Sequence, residues 1–548
     1  MQKHIHICVL TVFLSFASGL NPDLGAQSPN GVITSTQASV MDFSKDPVFS
    51  QGIVGICART LSGKEIASVN ADKMLIPASN MKLITTGAAM HSLGRDFFFK
   101  TAIGYDGYIE EGVLHGNLYI IGGADPTLAS RDSIATPIES IFRQWEKMVR
   151  DAGIKTIEGS IIGDGRIFEG PMEEPTWLWE DIGTYYGAGT SGLTFYENMI
   201  SFSAAPGKVL GDDVDIRQEY PETPWMEIRY RGTTAEEGTG DQLYMYTSEL
   251  APVAEIRGTL ALDKGRKRVD CSNKFPELTC ASYFLRHLES CGIECTGSEG
   301  DFKLETGWMD DRGMAGPSDR VCTDDSLVVI GHTQSPSLQR ISYMTNHESN
   351  NTYAEILLRT MGLELGGSSL YPESISILKQ VLGKGVKDGE GSIIQGLGID
   401  ISKGIHIKDG SGLSRGNLVS PDFFCRFLEA MSMSAAFEQW LEGLPCPGGK
   451  GTLTYNMKKS PDSLKRRIRM KSGSMNGVRC YSGYILPEGY STGKAREGCT
   501  GDSCTKDNGF GDTIVFSVMV NNCTSPTWKV NPMIDKIIET IAKEGNNK

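Results

Sequence analysis

Residues 77–94 read PASNMKLITTGAAMHSLG, and the rest of the chain is best read outward from them. Pro77 and Ala78 lead into Ser79, after which Met81, Leu83, Ile84, Ala88, Ala89 and Leu93 recur at helical spacing until Gly94. The pattern predicts an apolar helix with Ser79 at its start and Lys82 one turn on. A lysine at i+3 shares the face of the serine, and a serine can be activated by lysine as well as by histidine. At a helix start, N–H groups without an intrahelical acceptor, together with the dipole, can stabilise an oxyanion. Ser-x-x-Lys occurs four times: Ser79/Lys82, Ser376/Lys379, Ser491/Lys494 and Ser503/Lys506. Ser376 falls within a helical pattern, and Ser491 and Ser503 in a Gly/Cys-rich loop. Only Ser79 has surroundings suited to a nucleophile.

Before this helix, residues 52–59 and 65–70 read as two short strands joined by Leu61-Ser62-Gly63-Lys64. After it, roughly 100–325 holds many short apolar runs punctuated by glycine, with one clear helix near 136–152, and reads as β-rich. Helical periodicity returns at 351–365, 374–382 and 421–433. Strand-like runs follow at 467–471, 478–486 and 513–520, and an amphipathic helix at 529–544 closes the chain. Strands at both ends and a terminal helix predict an α+β domain formed by residues 45–102 and 325–545, split by a β-rich insert of one or two domains at 103–324.

Two further motifs fall on plausible elements. Ser349-Asn350-Asn351 opens a helical stretch, although Ser-x-Asn also begins at Ser28, Ser68 and Ser474. Lys471-Ser472-Gly473 ends a basic-apolar strand, and Lys-[Ser/Thr]-Gly occurs once. There is no H-E-x-x-H, P-loop or G-x-G-x-x-G after a strand. The G-x-S-x-G at Gly412–Gly416 has no histidine after it, the last being His406, which excludes the Ser…Asp…His order of an α/β-hydrolase.

The ordered set Ser-x-x-Lys, Ser-x-Asn, Lys-Ser-Gly resembles that of the penicillin-recognising serine enzymes, D,D-peptidases and serine β-lactamases. The closer resemblance, over about residues 45–540, is to the D-alanyl-D-alanine carboxypeptidase/endopeptidase family of low-molecular-mass class C penicillin-binding proteins (peptidase family S13). It rests on the three motifs, the 270 residues between Ser79 and Ser349, residues 116–128 (GNLYIIGGADPTL), residues 409–415 (DGSGLSR) and the Gly451-Thr452-Leu453 turn. It implies a transpeptidase/β-lactamase-like domain, an antiparallel sheet flanked by helices. Ser79 would then be the nucleophile and Lys82 its base, with a pKa depressed by burial and by a second cation such as Lys471. Ser349 would relay a proton to the leaving amine, and Asn351 would hold the substrate amide. Lys471, Ser472 and Ser474, with Gly473 between them, would bind the terminal carboxylate, and the N–H groups of Ser79 and Ser474 would form the oxyanion hole. Asp181, Tyr186 and Arg415 match a pocket for diaminopimelate, with Met475 and Asn476 at its rim. The resemblance implies no cofactor and no metal. Peptidoglycan stem peptides would be substrates and β-lactams covalent inhibitors. A β-lactamase or esterase on this scaffold, or a silent peptidoglycan-binding protein, are the competing readings. Rapid hydrolysis of the drug would mark the first, and absence of acylation the second.

The chain has 548 residues, too many for one core. Its 39% hydrophobic and 22% charged residues are those of a globular protein, and its net charge of −14 argues against a nucleic-acid partner. Gln2-Lys3-His4, the apolar run 5–20 and Leu24-Gly25-Ala26 have the layout of a signal peptide, residues 1–26, which predicts a periplasmic protein with at most peripheral membrane contact. Twelve cysteines follow it. Close spacings, Cys271/Cys280, Cys291/Cys295 and Cys499/Cys504, are read as disulfides rather than zinc ligands, because no repeated C-x-x-C or neighbouring histidine accompanies them. The loop at about 487–511 reads as an addition to the family pattern.

Overall fold

One antiparallel sheet draws its strands from both ends of the chain. In the computed structural model, which describes residues 34–301, 327–387, 389, 391–490 and 510–544, its order is Glu65–Val69, Ile53–Thr60, Ile514–Asn521, Val478–Ile485, Ile468–Met475. The hairpin register (Ile56 opposite Val69) and the long central pairing (Ile53 opposite Asn521, Thr60 opposite Ile514) fix it. The central strand Ile514–Asn521 is buried throughout, because both faces of the sheet are covered. On one face Val54, Ile56, Phe516 and Val518 pack against Ile534, Ile537 and Ile541 of the helix Thr527–Glu544. On the other, Met519, Val515 and Tyr484 join a core with the helices Met81–Ser92, Asn351–Gly366, Tyr371–Leu382 and Pro421–Ser432. The fold is α+β.

The chain leaves this layer at Phe99 and returns at Ser335, whose backbones meet: Ser335 N donates to Phe99 O at 3.0 Å. Between them, Lys100–Tyr105 and Val328–Gln334 pair antiparallel within a five-stranded mixed sheet. Two helices, Ile138–Asp151 and Pro276–Ser290, pack on it around Trp145 and Phe284. Two three-stranded sheets, one around Met199–Ala205 and one around Ala251–Ala261, enclose a separate core of Phe202, Met245 and Ile256. The region is therefore less purely β than its glycine-punctuated texture predicts. The helix Pro276–Ser290 buries nine of its fifteen residues, including the polar Glu277, Thr279 and Ser282, so its apolar period is weak in sequence.

The disulfide expectation fails where it can be followed. All nine cysteines among the described residues are free thiols. Cys271 lies in the core around Phe202 while Cys280 lies in the core around Trp145, so residues close in sequence point into different interiors. Cys295 packs against the Trp145 core and Cys291 turns away toward Glu146 and His287. Cys499 and Cys504, the signal-like segment 1–26 and most of the 487–511 loop lie outside the described residues. Among the described residues no helix is long and apolar enough to cross a membrane.

Candidate active site

Ser79 sits in a 3₁₀ turn, Ala78–Asn80, that runs into the helix Met81–Ser92. Ala78 has φ +46°, a left-handed strain of a kind that clusters at functional sites. Gly412 is tight against it: a Cβ there would stand 1.9 Å from the Ala78 carbonyl oxygen, so only glycine fits. One turn into the helix, Lys82 is completely buried. Its Nζ donates to Ser79 Oγ at 3.0 Å, Asn351 Oδ1 at 2.5 Å and the Ser411 carbonyl at 2.8 Å. Burial lowers its pKa to about 7, against the opposing pull of Glu355 and Asp409. Burial is the larger cause, and the neighbouring Lys471, itself lowered by burial and by Lys82, is the second cation of the pair.

Ser349 precedes the helix Asn351–Gly366 at φ +59°, another strained position, and the Asn350 side chain caps that helix by accepting from Tyr353 N. Lys471, buried on the strand Ile468–Met475, donates to Ser349 Oγ at 3.0 Å and to the Ser472 carbonyl at 2.8 Å. Burial, then Lys82, hold its pKa well below the lysine range. Gly473 brings this strand against the serine turn: a Cβ would lie 2.4 Å from Pro77 O and 2.9 Å from Asn80 N. The three motifs thus converge through Lys82 and Lys471. Ser79, Ser349, Asn351 and Ser474 line one open cleft of about 1270 Å³. Ser472 and Gly473 stand behind its wall rather than on it.

The cleft continues onto the insert. Asp181, Tyr186, Arg415, Met475 and Asn476 line it, with Leu178, Tyr244 and Tyr246 beside them. Burial raises the pKa of Asp181; its hydrogen bond to Tyr186 and the charge of Arg415 act the other way. Arg415 donates to Asn476 O at 3.0 Å. Asn351 Nδ2 donates to Tyr186 O at 2.7 Å, so its amide is engaged at both ends.

Several supporting residues escape sequence reasoning. Glu355, fully buried one turn beyond Asn351, accepts from Gly410 N and Ser411 N at 3.0 and 2.7 Å, fixing the carbonyl that receives Lys82. Asp409 accepts from Gly412 N, Ser414 N and Asn417 Nδ2, and its carboxylate also receives Trp177 Nε1 at 2.9 Å from the insert. Burial raises the pKa of both acids, and for Glu355 the neighbouring Asp409 adds to it. Arg359, likewise buried, donates to Thr190 Oγ1 at 2.7 Å and to the Pro171 and Glu169 carbonyls, bolting the same helix to the insert. The i+4 spacing of Asn351, Glu355 and Arg359 was the available signal. Ser414 is buried and hydrogen-bonded to Thr176, which agrees with rejecting it as a nucleophile elbow. Ser376 lies exposed on the helix Tyr371–Leu382.

The chain is similar to known proteins along most of its length. The chain is 27% identical over 484 residues to a D-alanyl-D-alanine carboxypeptidase of Actinomadura sp., covering 86% of this chain and 82% of that one. It is 24% identical over 469 residues to the D-alanyl-D-alanine carboxypeptidase DacB of Haemophilus influenzae, covering 80% and 86%. The crystal structure of penicillin binding protein 4 from Haemophilus influenzae shares the fold, with TM-score 0.69 and 20% identity over 92% of this chain and 98% of that one. The model of the D-Ala-D-Ala carboxypeptidase 3 (S13) family matches residues 36–307 and 318–542, nearly the whole chain. By that match, this chain belongs to the D-Ala-D-Ala carboxypeptidase 3 (S13) family.

Proposed function

We propose that this serine D,D-peptidase cleaves the bond after the penultimate D-Ala of peptidoglycan stem peptides through Ser79, and that β-lactams acylate the same oxygen. The observation that carries the assignment is the buried Lys82, held between Ser79 Oγ, Asn351 and the Ser411 carbonyl with a pKa of about 7. Near neutral pH a large share of it is the free amine, which takes the Ser79 proton as Oγ attacks the carbonyl carbon. The tetrahedral oxyanion is received by the N–H groups of Ser79 and Ser474. Collapse breaks the C–N bond, and Ser349, hydrogen-bonded to Lys471, passes a proton to the departing amine. Water then enters by the reverse route and frees the enzyme.

Two roles shift from the sequence expectation. Lys471 is buried and donates to Ser349 and Ser472 O, so it orients Ser349. Ser474, exposed on the cleft, is the direct ligand for the terminal carboxylate. Asn351 positions Lys82 as well as the substrate amide. Asp181 and Arg415, facing one cleft, suit an amino-acid head group that presents both charges, as diaminopimelate does. Substrates of this kind place the enzyme outside the cytoplasm, in the periplasm.

The test uses pentapeptide stems and cross-linked dimers with the wild type and Ser79→Ala. Release of D-Ala or dimer cleavage by the wild type alone supports the proposal, and equal release by Ser79→Ala overturns it. Replacing diaminopimelate by lysine in the stem is expected to lower kcat/KM; equal values would remove Asp181 and Arg415 from recognition.

A further inference from the structure

A second convergence of reactive side chains lies on the insert, away from the cleft. The helices Ile138–Asp151 and Pro276–Ser290 are joined by an aromatic seam in which Phe284 packs on Phe142 and Trp145 with ring centroids 5.4 and 5.3 Å apart. At the end of that seam Glu146 comes from the first helix, His287 from the last turn of the second, and Cys291 from its C-cap. Glu146 Oε2 is 3.2 Å from His287 Nε2, and Cys291 Sγ is 3.8 Å from the same nitrogen. All three donor atoms lie within 4.8 Å of one another. None of the three lines the active-site cleft.

The geometry is informative because Nε2 carries at most one proton and faces two acceptors. In the ion's absence the imidazole N–H and the Cys291 S–H can both turn to Glu146; with the thiol proton gone, a cation in the centre would bind all three atoms. Tetrahedral Zn²⁺, with bonds of about 2.0 Å to N and O and about 2.3 Å to S, sets N···O near ~3.3 Å and N···S near ~3.6 Å. The observed 3.2 and 3.8 Å match these spacings. The outer partners are also those a metal site uses. Arg150 donates to Glu146 Oε1 at 2.8 Å, leaving Oε2 free to turn inward, and it also holds the Cys291 carbonyl at 2.6 Å. The His287 ring is fixed by stacking on Phe284, 14° from parallel, and by Phe142 at 5.6 Å.

We propose that Glu146, His287 and Cys291 form a three-ligand Zn²⁺ site with its fourth position open to water, stapling the two helices of the insert. Binding releases the Cys291 thiol proton, leaving thiolate, neutral imidazole and carboxylate around the ion. This overturns the sequence reading that no histidine accompanies these cysteines: His287 stands one helical turn before Cys291.

The test titrates Co²⁺ and then Zn²⁺ into the metal-free full-length protein, prepared without a polyhistidine tag. The expected result is one equivalent of Co²⁺ with a thiolate charge-transfer band, displaced by Zn²⁺. The band is lost in Cys291→Ser. Zn²⁺ binding weakens in His287→Gln by at least the ~10–100-fold that loss of a mere outer partner costs. Penicillin acylation stays unchanged in both variants. In the wild type, Zn²⁺ should protect the peptide carrying Cys291 from alkylation, a readout that needs no variant. No band and no protection would overturn the site, as would a band that survives Cys291→Ser and so belongs to another thiol.

Discussion

Asn351 Nδ2 donates to the carbonyl of Tyr186 at 2.7 Å while its Oδ1 receives Lys82 Nζ. One side chain therefore joins the insert to the proton acceptor of the nucleophile. Asn351→Ala should leave Lys82 with two acceptors and let the Tyr186 loop drift. The expected loss is roughly 10²–10⁴-fold in the rate of β-lactam acylation, the scale of misplaced general-base catalysis. The accompanying fall in stability should be only about 1 kcal/mol, the net worth of such a hydrogen bond. Stopped-flow acylation and urea denaturation separate the two effects.

The rate should follow the deprotonation of Lys82. With a pKa of about 7 it loses its proton as pH rises, so acylation climbs through that region and levels off above it. Stability has the matching sign. The folded pKa is below the ordinary 10.5, so the folded protein binds fewer protons between about 7 and 10.5, and this group's contribution grows with pH there. Lys82→Met should abolish the rate limb and flatten that part of the stability profile. A pH-independent acylation rate in the wild type would contradict the assignment.

Glu355 acts on Lys82 through the Gly410–Ser411 backbone and through its charge. Its carboxylate accepts two N–H groups, whereas an amide side chain has only one oxygen to offer. Glu355→Gln should strand one buried donor at a cost of roughly 1–3 kcal/mol. It also removes an acid that raises the Lys82 pKa, so the rising limb of acylation should move to lower pH. A limb that stays in place would assign Glu355 a purely structural part.

Gly473 packs the Lys-Ser-Gly strand tightly against the serine turn. In Gly473→Ala the new methyl group meets the backbone at Pro77 O and Asn80 N, neither of which can swing aside. Overpacking of this kind costs roughly 1–3 kcal/mol, and acylation should fall while the pH at half-maximal rate stays the same. A variant with wild-type acylation would show that the two segments separate freely.

Much of this site is legible in the sequence because its three motifs are short and sit at element boundaries. Ser79 precedes an apolar helix, Ser349 precedes another, and Lys471 lies on a strand bounded by charge on one side and turn residues on the other. The supports of those motifs are harder to see. Glu355, Asp409 and Arg359 read as ordinary polar positions until folding buries them, and their partners lie tens to hundreds of residues away in the insert or in the Asp409 loop. The cysteines mislead for a related reason. Cys271 and Cys280 are nine positions apart in sequence, yet they face separate cores because a strand ends and a helix begins between them. Spacing alone also hides Glu146, since its link to Cys291 is made by two helices packing across Phe142 and Phe284.

The most direct test of the account is the site of acylation. Intact mass and peptide mapping after exposure to a fluorescent penicillin should show one drug per chain on the peptide carrying Ser79, with no adduct in Ser79→Ala and little in Lys82→Ala. An adduct elsewhere, or one retained in Ser79→Ala, would contradict the central claim.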